Sequence, residues 1–131
     1  MNFKHTCLRL LAAHALCVAT LLAAPTAFAH GDGKPQHGGG VRNPSDLSFE
    51  LVATADGATL YVIDHGRNYD TAGMSGKLTV LNGADKSEAD LKPVGGNKLE
   101  AKGVKLGAGA KVVAALQTVD KKTVTVRFTV K

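Results

Sequence analysis

The segment TVTVRFTV at residues 123–130 decides the fold class, because it alternates strictly between polar and apolar side chains. A period of two is typical of a β-strand with one face in a core and the other in solvent. The pattern predicts that Phe128 points inward together with the three valines and that Thr125 points outward. Such a strand needs partners, and the sequence before it supplies them.

The same period recurs along the chain at intervals of roughly ten residues, which is typical of all-β domains. The predicted strands lie at residues 49–53, 60–63, 78–81, 89–91, 99–101, 112–116 and 124–130. Glycine turns such as Asn82-Gly83 separate them, and no segment has helical periodicity of useful length. We therefore predict an all-β fold, a seven-stranded immunoglobulin-like β-sandwich, with a small barrel as the competing architecture.

Three details of this pattern are specific enough to be checked. In the first strand Glu50 falls on the polar side of the alternation, which predicts that it faces solvent. Pro93 ends the fourth strand and predicts that this strand lies at an edge, because proline lacks the N–H that a ladder needs. Residues 64–74 form the longest predicted loop of the domain.

The first 29 residues resemble a secretory signal peptide rather than part of the domain. Lys4 and Arg9 form a basic start, an apolar run covers residues 8–24, and Ala27-Phe28-Ala29 is a small–x–small cleavage site. We expect cleavage after Ala29 and export to a bacterial periplasm, with no membrane insertion afterwards. Residues 30–45, with five glycines and two prolines, predict a flexible Gly/His arm, disordered before the sandwich domain of residues 46–131.

Composition excludes several classes of function. Both cysteines, Cys7 and Cys17, fall in the predicted signal peptide, so an exported domain has no disulfide, thiolate nucleophile or cysteine-ligated zinc. No G-x-S-x-G segment or phosphate-binding glycine loop occurs, and we predict that the protein is not an enzyme. Without Lys4 and Arg9 of the predicted signal peptide the net charge is 14 − 11 = +3, and the lysines are dispersed over alternate strand positions with few aromatic residues, which does not favour nucleic-acid binding.

Metal binding is the sharper hypothesis, because neutral imidazole is the commonest metal ligand in proteins. The candidate ligands are loop residues outside the strand pattern: His30, His37, Asp64, His65, Asp70 and Met74. Imidazole with methionine or carboxylate suits copper, and imidazole with carboxylate also suits zinc. Structural interpretations remain open: His37 as a polar arm residue, Asp64-His65-Gly66 as an ordinary turn, Asp70 as a turn former, and Met74 as a capping hydrophobe.

Several motifs resemble small exported domains associated with heavy-metal efflux systems. His37-Gly38-Gly39, Glu50-Leu51-Val52 and the stretch from Leu60 to His65 match an HGG…ELV…LYxxDH progression, and Gly73-Met74-Ser75-Gly76 follows. The resemblance covers most of residues 37–130. It implies metal handling near an efflux system, with His37 and His65 at the matching positions, and it leaves the ligand set open.

A weaker likeness, carried by His30 alone, is to periplasmic immunoglobulin-like copper carriers that begin with histidine after export. Cleavage after Ala29 gives His30 a free α-amine beside its imidazole, a chelating pair that suits Cu(II) with one further imidazole. His37 can supply that imidazole from the arm, or His65 from the domain with Asp64 or Asp70 as an oxygen ligand. We favour His65, because a loop held between strands loses less entropy on closing.

The function predicted from the sequence is a periplasmic protein that buffers or delivers copper, or zinc or another divalent ion, in heavy-metal homeostasis or efflux. The alternative is a structural or interaction module whose sheet edge augments the sheet of a periplasmic efflux adaptor. In that alternative the histidines are incidental.

Overall fold

The computed structural model describes residues 33–131, which form nine antiparallel strands. The strands are β1 (Gly40–Arg42), β2 (Leu47–Thr54), β3 (Gly57–Asp64), β4 (Arg67–Asn68), β5 (Ser75–Asn82), β6 (Asp85–Pro93), β7 (Lys98–Lys102), β8 (Lys111–Gln117) and β9 (Thr123–Thr129). The all-β prediction is therefore confirmed. Within the same residues there is no helix of the length and apolar character that a membrane crossing needs.

The strands follow the order β1-β2-β3-β7-β6-β5-β8-β9, and β4 pairs with β3 beside this order. Strand β6 connects the two halves, because residues 85–91 pair with β5 whereas Lys92 and Pro93 pair with β7. The two terminal strands, β1 and β9, approach each other, but no ladder joins them among the described residues. The sheet is thus nearly barrel-like, with one seam left open.

Apolar side chains from both halves meet in one core. Its largest fully buried members are Phe49, Leu60, Leu78, Leu91, Leu99 and Leu116. On β9, Val126 and Phe128 are buried while Thr125 is exposed, so the predicted register of this strand is confirmed. Strand β3 lies between β2 and β7, and its apolar residues are covered on both faces.

All seven predicted strands are present, and the two additional strands are short. Strand β1 lies within residues 30–45, the range predicted as an arm, and pairs with β2 from Gly40↔Leu51 to Arg42↔Phe49. Strand β4 lies within the predicted 64–74 loop and pairs back onto the end of β3. Neither has an alternating apolar pattern of its own that would predict it. Each forms by pairing with a longer strand, β1 with β2 and β4 with β3.

The edge position predicted for the strand that ends in Pro93 is wrong, because β6 lies in the middle of the order. Val94 donates its N–H to the Lys98 carbonyl at 3.2 Å, so the backbone nitrogen of neighbouring Pro93 faces the opposite side. On that side the pairing with β5 has already ended at Gly76↔Leu91. Proline is tolerated here because it lies where the strand changes partners and no ladder bond is lost.

Candidate functional site

The predicted site residues fall into two regions of the described chain. His37 belongs to a loop that covers the outer face of β2 and β3, whereas Asp64 and His65 form the turn between β3 and β4. His30 and the predicted signal peptide, residues 1–29, lie outside the described residues. Their roles stay predictions.

A buried carboxylate organises the first region. Glu50, in the middle of β2, is 0% exposed, so the solvent-facing position predicted from its place in the alternation is wrong. Its Oε1 accepts the backbone N–H groups of His37 at 2.8 Å and Gly39 at 2.9 Å, and its Oε2 accepts that of Gln36 at 3.0 Å. We call residues 36–39 together with Glu50 the Glu50 clamp.

The electrostatics of the clamp favour the ionised carboxylate. Burial alone raises the pKa of Glu50, but the three backbone hydrogen bonds outweigh it and hold the pKa below its ordinary value of 4.5. The charge of nearby His37 acts in the same direction. Glu50 is therefore an anion at neutral pH, solvated by backbone amides in place of water.

The HGG motif has a structural explanation in this clamp. The His37 ring stacks on Tyr61 of β3, with centroids 3.7 Å apart and planes at 11°. Gly38 has a positive φ of 77°, and a β-carbon at Gly39 would lie 2.2 Å from the Leu51 carbonyl oxygen. Only glycine permits this close approach to β2. The motif thus packs the loop over the carboxylate.

Sequence reasoning missed Glu50 because alternation assigns a face to a side chain but does not reveal what covers that face. One signal was available. Leu60–Ile63 is apolar on both sides, and a strand whose outer face carries Tyr61 and Ile63 needs a cover. The glycine-rich loop nearby in the sequence is the segment that provides it.

The second region is a two-residue turn that displays an imidazole. Asp64 pairs with Arg67, and between them His65 and Gly66 both have positive φ, 46° and 80°. This is the conformation of a type I′ hairpin turn, which favours Asn-Gly. The His65 side chain is 80% exposed, and its Nδ1 contacts the Oδ1 of Asp64.

The segment that follows the turn is anchored to the body of the domain. Thr71 is fully buried, and its hydroxyl donates to the carbonyl of Lys98 at 2.9 Å or of Gly96 at 3.2 Å. The Asn97 amide donates to the Val62 carbonyl at 3.2 Å. These contacts tie the segments before and after the His65 turn to the rest of the sheet.

The remaining candidates have structural contacts. The Oδ1 of Asp70 accepts the N–H of Ala72 at 2.9 Å, which is an Asx turn. Met74 is 3% exposed and packs in the core, where its sulfur has no access to a surface ion. Among residues 33–131, no group of three His, Cys, Asp or Glu side chains is arranged to hold a metal ion. Of the predicted ligands described, the structure brings together only Asp64 and His65.

His37 does not join that pair. Its ring lies on Tyr61, and the four residues of chain from Tyr61 to His65 correspond to about 13 Å of strand. One metal ion cannot be ligated by both imidazoles across that distance without rearrangement. The two histidines of the motif therefore belong to separate regions.

Comparisons with known proteins provide no relative from which a function can be transferred. No family model matches the chain, and no curated protein or solved structure matches it either. The resemblance to heavy-metal-efflux domains stays a prediction.

Proposed function

We propose that the chain is a non-enzymatic periplasmic metal-binding protein that buffers or delivers copper in heavy-metal homeostasis or efflux. Zinc or another divalent ion is the alternative cargo. The observation that carries the proposal is the His65 imidazole, which is 80% exposed at the tip of a turn with an anchored base. Among residues 33–131 its side chain hydrogen-bonds only to the adjacent Asp64.

The chemistry of this pair supports a divalent ion. When Asp64 accepts the Nδ1 proton of His65, the lone pair of Nε2 is available for coordination, an arrangement common around histidine-ligated metals. Imidazole and carboxylate together suit Cu(II) and Zn(II). Two side chains do not complete a site, so the proposal assigns the other donors to residues before Gly33. His30 is the candidate, because cleavage after Ala29 gives it an amine and an imidazole.

The test replaces the imidazole and keeps the turn. Asn is favoured at the first position of a type I′ turn, so His65→Asn removes the ligand with little change of backbone. The matched control is Lys121→Asn, which places the same residue at the other non-glycine position with positive φ in the described chain, 63°. We expect His65→Asn to weaken Cu(II) binding about tenfold or more against a competing chelator. Lys121→Asn should bind as wild type.

A second variant examines the donors assigned to His30. Expression in the cytoplasm with Met ahead of His30 blocks the α-amine and leaves the imidazole. We expect this variant to bind Cu(II) more weakly than the exported protein. Unchanged affinity in this variant and in His65→Asn would contradict the proposal and favour the interaction module.

The periplasmic location has its own test. Intact-mass measurement of exported protein should give a chain that starts at His30, as the small–x–small site predicts. Retention of residues 1–29 would contradict the location and the assignment of an amine ligand.

We further propose that the seven longer strands form an immunoglobulin-like β-sandwich. The neighbours β2-β3-β7 and β5-β8-β9 correspond to the A-B-E and C-F-G strands of that class, which supports the assignment, and β6 joins the two sets by pairing with β5 over residues 85–91 and with β7 at Lys92 and Pro93. An NMR structure tests it. Regular hydrogen bonds between β1 and β9 would instead indicate a closed barrel.

A further inference from the structure

The tip of the β3–β4 turn extends beyond the sheet. The ladder between β2 and β3 ends at Leu47↔Asp64, and β4 pairs with β3 at Ile63 and Asp64, so His65 and Gly66 lie past the last pair of both ladders. Within residues 33–131, a β-carbon at Gly66 would meet no heavy atom within 4 Å apart from its chain neighbours. The tip is therefore open to the approach of a second molecule.

The turn presents two metal donors that already face each other. The side chains of His65 and Asp64 are 80% and 46% exposed, and Nδ1 of the imidazole contacts Oδ1 of the carboxylate. A metal ion that replaces the proton between these atoms would be bound by both, and the proton would pass to solvent. Imidazole nitrogen and carboxylate oxygen are both common ligands of Zn(II).

This pair of donors is half of a zinc site. A closed protein site holds Zn(II) with four ligands in a tetrahedron. Within residues 33–131, no group of three His, Cys, Asp or Glu side chains is arranged to hold an ion. The amine and imidazole assigned to His30 suit the tetragonal nitrogen ligation of Cu(II) instead. For Zn(II), the alternative cargo, a second copy of the turn can supply the missing nitrogen and oxygen.

Charge and contact area make such an association dependent on the ion. Two ionised Asp64 carboxylates balance the double charge of one Zn(II), and a two-fold axis through the ion makes both donor pairs equivalent. Without the ion, each tip also carries exposed Arg67, the ladder partner of Asp64, and like charges on two tips repel. A two-residue tip buries far less than the roughly 1,200 Å² of a stable interface. Metal-free copies should therefore stay apart.

We propose that one Zn(II) ion joins two copies of this chain through their β3–β4 turns. Each copy contributes Nδ1 of His65 and a carboxylate oxygen of Asp64, which gives two nitrogens and two oxygens around the ion. This inference rests on the proposed function, since it uses the same turn, and it adds a partner to it. One chain binds Cu(II) and two chains bind Zn(II), so the identity of the ion determines the oligomeric state.

The experiment follows the mass of the exported protein while zinc sulfate is added. We expect sedimentation velocity to show a monomer without metal and a dimer once about half an equivalent of zinc per chain is bound. Native mass spectrometry should give a dimer that contains one zinc ion. A chelator such as EDTA should restore the monomer, and copper sulfate in place of zinc sulfate should leave the protein monomeric.

A pair of variants tests the carboxylate donor. Asp64→Asn removes the charge and keeps a side chain of the same size beside His65. The matched control is Asp70→Asn, because the carboxylate of Asp70 accepts the N–H of Ala72 in an Asx turn, which asparagine also forms. We expect Asp64→Asn to weaken zinc-dependent dimerisation about tenfold or more. Asp70→Asn should form the dimer as wild type does.

Several outcomes would overturn the inference. A monomer that binds one zinc ion per chain, or a sedimentation profile that zinc does not change, would exclude the bridge. A zinc dimer that Asp64→Asn retains, or one that persists in EDTA, would exclude this set of donors. The proposed function is judged separately. If zinc forms no dimer while His65→Asn still weakens Cu(II) binding, the bridge is wrong and the proposed function remains.

Discussion

The two histidines of the motif, His37 and His65, lie in regions that use them differently. In the Glu50 clamp, His37 is built into the fold, because its N–H binds a buried carboxylate and its ring stacks on Tyr61. At the β3–β4 turn, the imidazole of His65 is exposed to solvent, and within residues 33–131 it hydrogen-bonds only to its sequence neighbour Asp64. The comparison teaches that two histidines of one sequence motif can differ in kind, because packing explains His37 whereas His65 is exposed at a turn.

The largest expected effect in this comparison is the loss of the clamp carboxylate. Glu50→Ala leaves three backbone N–H groups without their acceptor, and we expect about 3 kcal/mol of destabilisation. Glu88→Ala is the control, because that carboxylate is exposed and its ion pairs are with the flexible Lys86 at 3.2 Å and Lys77 at 3.9 Å. Urea denaturation measures both. Similar effects from the two substitutions would mean that the clamp does not stabilise the domain.

The next prediction compares the destabilisation caused by alanine at one glycine of the Glu50 clamp and at one glycine of the β3–β4 turn. A β-carbon at Gly39 would lie 2.2 Å from a backbone oxygen, so Gly39→Ala should cost about 2 kcal/mol through displacement of the loop. At Gly66 the space is open but φ is 80°, so Gly66→Ala should cost about 1 kcal/mol through backbone strain alone. Thermal melts distinguish them. The reverse order would indicate that the HGG loop adapts freely.

A smaller effect should appear on acidification. The folded-state pKa of Glu50 lies below the ordinary 4.5, so its contribution to stability is complete above pH 4.5 and is lost as pH falls through the folded-state pKa. We expect the amides of Gln36, His37 and Gly39 to lose exchange protection in that range. The amides of Tyr69 and Thr71 should stay protected, since they donate to the uncharged backbone carbonyls of Val62 and Gly96, each at 3.1 Å. Simultaneous loss in both regions would show that they are not independent.

The smallest effect should be that of His65 on stability. Without metal, His65→Asn should change the free energy of unfolding by no more than about 0.5 kcal/mol. The change should be towards higher stability, because Asn is preferred at this position of a type I′ turn. Chemical denaturation of the metal-free protein measures the change. A loss above 1 kcal/mol would give His65 a structural role like that of His37 and would weaken the argument for a ligand.

Much of the fold could be predicted because strand periodicity is a local property. The alternation at residues 123–130 gave the correct inward face of β9, and the other six strands were found in the same way. For the candidate site, Asp64-His65-Gly66 was recognisable as a turn because glycine and short polar side chains favour positive φ. The same reasoning covered Asp70, which forms the turn that its residue type favours.

The sequence by itself therefore determined the β class, the strand positions, the β9 register and the turn that displays His65. Only the tertiary structure decided that Glu50 is buried, that β6 is a central strand and that β1 leaves a seam beside β9. Periodicity specifies which side of a strand is apolar, and this depends on neighbouring residues. Contacts between segments far apart in the chain decide what covers the other side of a strand and which strands pair. A local pattern contains no information about those contacts.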